Sequence, residues 1–524
     1  MKWITAILIV LVTSLAPAQE AQVEQWDIFE LALAAPATGN PYVGLNFTAV
    51  FEKDDQRFEP SGFYDGNDTF KIRFMPNQPG TWTYQTHSNY PPLDGQKGTF
   101  TSTLANPDNH GPVQVRNQYH FGHADGTPFR PFGTTVYEWS YQPETLQQQT
   151  LDTLKSSPFN KVRFLVTPNY RDEYHEGGSL ALDSFPFEGH SKDTWDFSRF
   201  NPVFFQRLEK NVARLRDLGI QADLILFRPY DNAKWGFDRM DMATNERYLR
   251  YVVARLSAYR NVWWCMANEH SFMRNLTDTD WDFLFQVLQA SDPYHHLRSI
   301  QNADVIYNNS KPWVTHVAMH NYMAIRYLGV SSLLREIYRK PIIHDEINYE
   351  GDIDSRWGQL TSEEMVYRFW VGTMGGTYVT HGETRRDEEV GDGWISRGGT
   401  LTRQSPARIA FLKGIVDQSP LDALEPIDRG FQTNMAGKAG EYYLIYFGKD
   451  PIENWPFALP RDGLESDMRF KVDVIDTWNM SITPLDQVFE IERVDRYTFR
   501  DKNKQVVSLP GKPYMALRIQ RLEK

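Results

Sequence analysis

Between residues 131 and 381, short apolar runs alternate with longer amphipathic segments, and this alternation constrains the fold more than any other feature of the chain. The runs 131–138, 161–167, 222–227, 262–269, 297–301, 315–320, 341–346 and 376–381 read as buried strands. Helical spacing fills 143–156, 202–218, 246–258, 280–290, 330–339 and 362–374 between them. Parallel neighbours need a crossover, so strands that alternate with helices argue for a parallel sheet. Eight such repeats in ~250 residues have the size of a (β/α)₈ barrel. The spacing also predicts Ser331 and Ser362 as caps of the last two helices, with Glu363-Glu364 as an acidic first turn.

The flanks follow a different rhythm. From Val23 to about residue 105, apolar and polar positions alternate in short runs (26–31, 45–51, 69–74, 81–84) separated by Gly, Pro, Asn and Asp. That pattern predicts an antiparallel β-sandwich, and residues 106–112 read as a linker. Beyond Pro420 the helical pattern stops, and runs at 441–447, 470–476 and 514–519 predict a second, smaller sandwich. The expected fold class is α/β: a (β/α)₈ barrel over 108–420, flanked by β-sandwich domains over 19–107 and 421–524.

Residues 1–18 have the form of a signal peptide: basic Lys2, an apolar stretch from Ala6 to Leu15, then Ala16-Pro17-Ala18. The stretch is shorter than the ~20 residues that span a bilayer, so cleavage after Ala18 and export to the periplasm or beyond are expected, without a membrane partner. Cys265 is the only cysteine, which excludes an intrachain disulfide and leaves the fold to its apolar cores. A net charge of −12 without a basic block disfavours nucleic acid. Core packing explains part of the high content of Trp (15) and Tyr (26). Sugar-binding clefts are also lined with such flat rings, so the composition is compatible with the carbohydrate partner that the carboxylates below imply. No His-Glu-x-x-His, phosphate loop, dinucleotide fingerprint or nucleophile-elbow serine occurs, so no cofactor is expected. Asp352-Ile353-Asp354 lacks the remaining ligands of a calcium loop, and no metal is expected.

Two strand-like runs end abruptly in carboxylates: 261–269 closes on Asn268-Glu269, and 340–346 closes on Asp345-Glu346. Reactive groups of a (β/α)₈ barrel gather at the C-terminal ends of its strands. Strands four and seven lie nearly opposite, so Glu269 and Glu346 can converge, and a carboxyl pair is what glycosidic cleavage needs. Asn245-Glu246, Asp172-Glu173 and Asp387-Glu388 lack the preceding apolar strand and read as a helix start and solvated loops. Asn268 is placed to bind a hydroxyl beside the reacting carbon. Arg163 on strand two is expected beside Glu346, holding it ionised. On strand six, Tyr322 is expected to donate to Glu346, with His320 near Glu269. Glu138 and Glu383 are rival carboxylates, each able to bind a hydroxyl or replace one of the pair. Trp139, Tyr141, Trp235, Trp357 and Trp394 are candidate stacking rings, and His381 on strand eight a candidate substrate contact. The competing reading for each is an ordinary structural role.

Strand-four Asn268-Glu269, strand-seven Glu346, strand-two Arg163 and strand-six His320-x-Tyr322 together resemble the clan A retaining glycoside hydrolases. The order of signal, sandwich, barrel and sandwich is similar to a bacterial group of glycosidases in that clan. Residues 261–264, 344–351 and 476–480 carry that likeness. The resemblance implies a secreted retaining β-glycoside hydrolase that cleaves an oligo- or polysaccharide by double displacement. Glu269 would be the acid/base, with a raised pKa, and Glu346 the nucleophile, with a lowered one. In one respect the chain departs from the pattern: many clan members end strand eight with Trp, whereas this strand ends Thr380-His381-Gly382-Glu383. Two alternatives stand beside this reading. One is a catalytically inactive carbohydrate-binding or adhesion protein on a barrel scaffold. The other is an inverting hydrolase, whose carboxyls stand ~6.5–9.5 Å apart rather than ~5–5.5 Å.

Overall fold

The structure is a computed structural model that describes residues 21–168, 185–189, 191, 193–230, 235–386, 393–427 and 434–523. The signal-peptide reading over 1–18 lies outside them. Eight parallel strands form the centre: β1 (Phe132–Thr135), β2 (Lys161–Leu165), β3 (Gln221–Phe227), β4 (Val262–Ala267), β5 (Arg298–Ser299), β6 (Val317–His320), β7 (Ile342–Glu346) and β8 (Tyr378–His381). They pair in the ring order β5-β4-β3-β2-β1-β8-β7-β6, and a bridge from Gln301 to Ala318 joins β5 to β6. Among the described residues, seven helices longer than two turns cover the ring: α1 (Glu144–Ser156), α2 (Pro202–Asp217), α3 (Met242–Leu256), α4 (Asp278–Ser291), α5 (Val330–Tyr338), α6 (Ser362–Met374) and α7 (Ser405–Asp417).

Local chemistry explains where the helices begin. Asn201, Asp241 and Thr361 cap α2, α3 and α6, and Thr277 forms a capping box with Asp280 at α4. The caps expected at Ser331 and Ser362 are therefore corrected. Each lies inside its helix, where Ser331 donates to the Ala324 carbonyl at 3.2 Å and Ser362 to the Glu350 carboxylate. The sequence pattern missed α7, because its apolar residues do not gather on one stripe.

Residues 106–112 are tied down rather than free. Asn106 and Asn109 both donate to the Glu24 carboxylate, at 2.8 and 2.6 Å. The hairpin that follows (Val113–Arg116, His120–His123, Pro128–Phe129) closes the floor of the barrel. Its Val113, Phe121 and Phe129 pack on Trp263, Leu297 and Ile343 at the N-terminal ends of β4, β5 and β7.

The N-terminal domain is a sandwich of a five-stranded and a three-stranded sheet. Phe51 stacks on Phe74, and Phe29 on Phe100, across the two layers at 4.2 and 4.0 Å. A buried ion network fastens it to the barrel: Arg255 on α3 pairs with Asp65 at 2.6 Å and with Glu209 on α2 at 2.5 Å, while Arg73 meets Glu209 at 2.8 Å. The C-terminal domain contains an eight-stranded sheet and a two-stranded ribbon. Its long strand Ser481–Arg493 carries the chain between layers, and Phe457 stacks on Phe489 at 4.4 Å in the core.

Candidate active site

Inside the ring, alternation sends every second side chain toward the barrel axis. On β2 these are Lys161, Arg163 and Leu165; Leu165 packs with Ile225 of β3 and Cys265 of β4. Lys161 pairs with Asp223 at 2.6 Å and Asp345 at 2.7 Å, and Thr380 donates to Asp345 at 2.7 Å. Burial opposes the charge on Lys161, but the two carboxylates outweigh it and hold the ammonium above its usual range.

Strict alternation would turn Glu346 away from the side that Asp345 faces. The β6–β7 register slips between Ala318↔Ile343 and His320↔Glu346, so two residues of β7 oppose one of β6. This bulge lets Asp345 point to Lys161 while its neighbour Glu346 lines the mouth. On the opposite side, Glu269 follows β4 with φ +44°, a left-handed conformation that costs a non-glycine residue ~1 kcal/mol or more and often marks a working site.

Glu269 (7% exposed) and Glu346 (9% exposed) line one pocket of about 170 Å³. His320 stands between them, its Nδ1 2.9 Å from Oε1 of Glu269 and its Nε2 3.7 Å from Oε1 of Glu346. Burial raises the Glu269 carboxyl above its ordinary pKa, and the charge of Glu346 adds to this against the contact with His320. Burial disfavours a charged His320, yet Glu346 and Glu269 push it up to about 9. The site thus holds an imidazolium at neutral pH.

A stability test follows from that shift. The unfolded histidine releases its proton near 6.5, the folded one near 9. Between these values the folded state binds the extra proton, so stability falls as pH rises through this window. The contribution is fully present below 6.5 and gone above 9. His320→Gln should flatten the dependence of melting temperature on pH across that interval; an unchanged slope would show that His320 is not the titrating group.

The second oxygen of Glu346 accepts from the Tyr137 hydroxyl at 3.2 Å, and Tyr349 stands 3.0 Å from that hydroxyl. Tyr137 continues the inward face of β1 after Gly133 and Thr135. The parity of that face is the signal that could have singled it out, in place of Glu138. Tyr349 fits because residue 382 is glycine: a Cβ there would stand 2.0 Å from the Tyr349 ring. The end of β8, where related barrels carry Trp, is thus filled by a ring from the β7–α6 loop. Trp357 lines the pocket edge-on to Tyr349, with centroids 5.8 Å apart.

Asn268 and His320 also line the pocket. Several expectations need correction. Arg163 donates to Oδ1 of Asn268 at 2.7 Å and lies beneath that residue rather than against Glu346. His381 is buried and stacked on Phe159 at 4.8 Å, with its pKa pressed down to about 3 by burial. Glu383 is buried and accepts from the Thr402 amide and hydroxyl at 2.8 and 2.6 Å, which makes it a loop clamp. Glu138, Trp139, Tyr141 and Trp394 are buried in the wall, with the Trp394 indole donating to Thr134 at 2.8 Å. Trp235 packs on Phe185 at 4.7 Å, and its ring is not part of the pocket lining. The Tyr322 side chain lies outside the described structure; among the described residues, Tyr137 donates a hydroxyl to Glu346. Among the described residues, no cluster of three or more His, Cys, Asp or Glu side chains could hold a metal ion.

Residues 115–384, just over half of the chain, match the model of the apiosidase-like catalytic domain. The chain belongs to the apiosidase-like family. It is a glycoside hydrolase on a (β/α)₈ barrel. Its flanks match two domains of unknown function, DUF5060 over 22–89 and DUF5605 over 431–520. The structure of a candidate glycoside hydrolase from Bacteroides vulgatus ATCC 8482 is similar at 39% identity and a TM-score of 0.91, over 96% of this chain and 100% of that one. A family 5 glycoside hydrolase from the same organism shares the fold at 14% identity and a TM-score of 0.57, over 79% of this chain and 94% of that one. None of the curated proteins compared with this sequence matches it. No helix among the described residues is long and apolar enough to cross a membrane.

Proposed function

We propose that the protein is an exported retaining β-glycosidase that cleaves an oligo- or polysaccharide by double displacement. Glu346 is the nucleophile and Glu269 the acid/base in this reading. The observation that carries it is the convergence of both carboxyls on His320 within one pocket, at 2.9 and 3.7 Å. Glu269 protonates the glycosidic oxygen while Glu346 attacks the anomeric carbon; the bond to the leaving group breaks and a glycosyl ester forms. Glu269, now ionised, takes a proton from water, which attacks the same carbon and releases Glu346.

The environments suit these roles. Burial favours the protonated form of Glu269 before the first step, and the imidazolium of His320 offsets the charge left on it afterwards. The Tyr137 hydroxyl holds Oε2 of Glu346, leaving Oε1 to attack. Export rests on the form of residues 1–18.

Apiosides head the substrate screen because of the family description, followed by plant and algal polysaccharides and aryl glycosides. With the substrate so found, NMR of the first-formed product reads the anomeric configuration. Retention is expected. Inversion would replace the covalent intermediate with a single displacement by water.

A further inference from the structure

Apolar side chains, half-buried Tyr230 and exposed Phe272, Val305 and Ile306, stand on the loops after β3, β4 and β5, on the Glu269 side of the pocket. Tyr230, after β3, lines the pocket. Its ring meets Phe272 at 6.4 Å and 69°. Phe272 lies in the turn His270–Phe272, its amide donates to the Glu269 carbonyl at 3.0 Å, and its side chain is 42% exposed. Ser271 couples this turn to the loop after β5: its hydroxyl donates to Asp304 at 2.7 Å and accepts from the Val305 amide at 3.4 Å. Val305 and the next residue, Ile306, are 57% and 42% exposed. Because β3, β4 and β5 are neighbours in the ring, these side chains follow its rim outward from the pocket.

Exposed apolar side chains gathered beside a pocket mark a surface that a ligand can cover. The position of the proton donor says what. In a glycosidase the acid stands at the oxygen of the breaking bond, so the departing part of the substrate lies on its side. Sugar rings present apolar C–H faces that settle on aromatic and aliphatic side chains. We propose that Tyr230, Phe272, Val305 and Ile306 form the leaving-group subsite, which receives the departing sugar ring and the ring after it. This rests on the reading of Glu269 as the acid. Trp357 and Tyr349, on the Glu346 side, serve the other half of the substrate.

The test compares two probes with the glycone that the screen identifies: its glycosyl fluoride, which carries no leaving sugar, and a tetrasaccharide with that glycone at its non-reducing end. Phe272→Ala and Val305→Ser should each lower kcat/KM on the tetrasaccharide about ten-fold, the loss of one buried apolar contact, and far less on the fluoride. Phe272→Tyr should restore most of the loss. Equal losses on both probes, or none on the tetrasaccharide, overturn the subsite. Self-association of the wild type that Phe272→Ala abolishes, with both probes unaffected, assigns this surface to a second copy and likewise overturns it. The acid assignment has its own control: wild-type cleavage of the tetrasaccharide by Glu269→Gln removes the acid, and the subsite falls with it.

Discussion

Glu346→Gln should lose turnover by a factor on the order of 10⁴–10⁶ on every substrate, whatever its leaving group, while keeping the fold. The amide has nearly the shape of the carboxylate and can still accept from Tyr137, so the pocket keeps its packing. What disappears is the negative oxygen that attacks the anomeric carbon, and a better leaving group cannot replace it. The like charge that raises Glu269 and one of the anions that raise His320 disappear with it. Melting temperature at neutral pH should therefore change little. Removing the side chain altogether, as Glu346→Gly, opens space for azide, which should restore turnover and give a glycosyl azide of inverted configuration. Turnover near the wild-type rate in Glu346→Gln would end the assignment of the nucleophile.

The barrel was legible because its repeats carry two periods that sequence displays directly, continuous apolar runs for buried parallel strands and amphipathic spacing for helices. The flanking sheets were legible from period-two alternation. Less visible were the pieces whose role is set by a distant partner. The 113–129 hairpin went unread between the linker and the barrel; Trp263, Leu297 and Ile343 supply the apolar floor it covers. For α7 the obstacle was that its apolar residues surround the helix, buried on one side by α6 and the C-terminal sheet.

At the site, Glu269 and Glu346 stood out as carboxylates ending apolar strands, and the structure brings both to one pocket. Which face a neighbouring residue takes was harder to read. On β1 the sequence reading named Glu138 and passed over Tyr137, its neighbour of opposite parity; the tyrosine faces the pocket and the glutamate is buried in the wall. On β7 parity itself fails, because a bulge sends Asp345 and Glu346 to the same interior, and nothing in the composition of 340–346 announces a bulge. Arg163 points inward as expected, but it donates to Asn268 rather than to Glu346, and its charge acts from there on Glu269 and His320.

That bulge gives the buried triad beneath it a functional consequence. Lys161, Asp223 and Asp345 are fully buried, and the ammonium lies 2.6 and 2.7 Å from the two carboxylates. Lys161→Met removes the cation that bridges them and leaves the two carboxylates facing each other away from water. Breaking a buried ion pair from one side costs about 3–5 kcal/mol, far more than the attraction of the intact pair is worth. Burial and the charge of Asp345 already raise Asp223, and without the ammonium its pKa climbs further, so protonating it offsets part of that cost. The sign is definite: stability lost at neutral pH should return as the pH falls toward the ordinary carboxylate range. Asp345 is also the residue before Glu346, and Thr380 and Lys161 hold it through the same oxygen. Loss of Lys161 should let the β7 bulge relax and move Glu346 off its line of attack. Displacements of about 1 Å at a reacting group cost about a hundred-fold in rate. Thermal melts across pH, with kcat measured on the folded fraction, separate the two effects. A variant as stable as wild type at pH 7 would show that the triad does not brace the barrel, and an unchanged kcat that it does not aim the nucleophile.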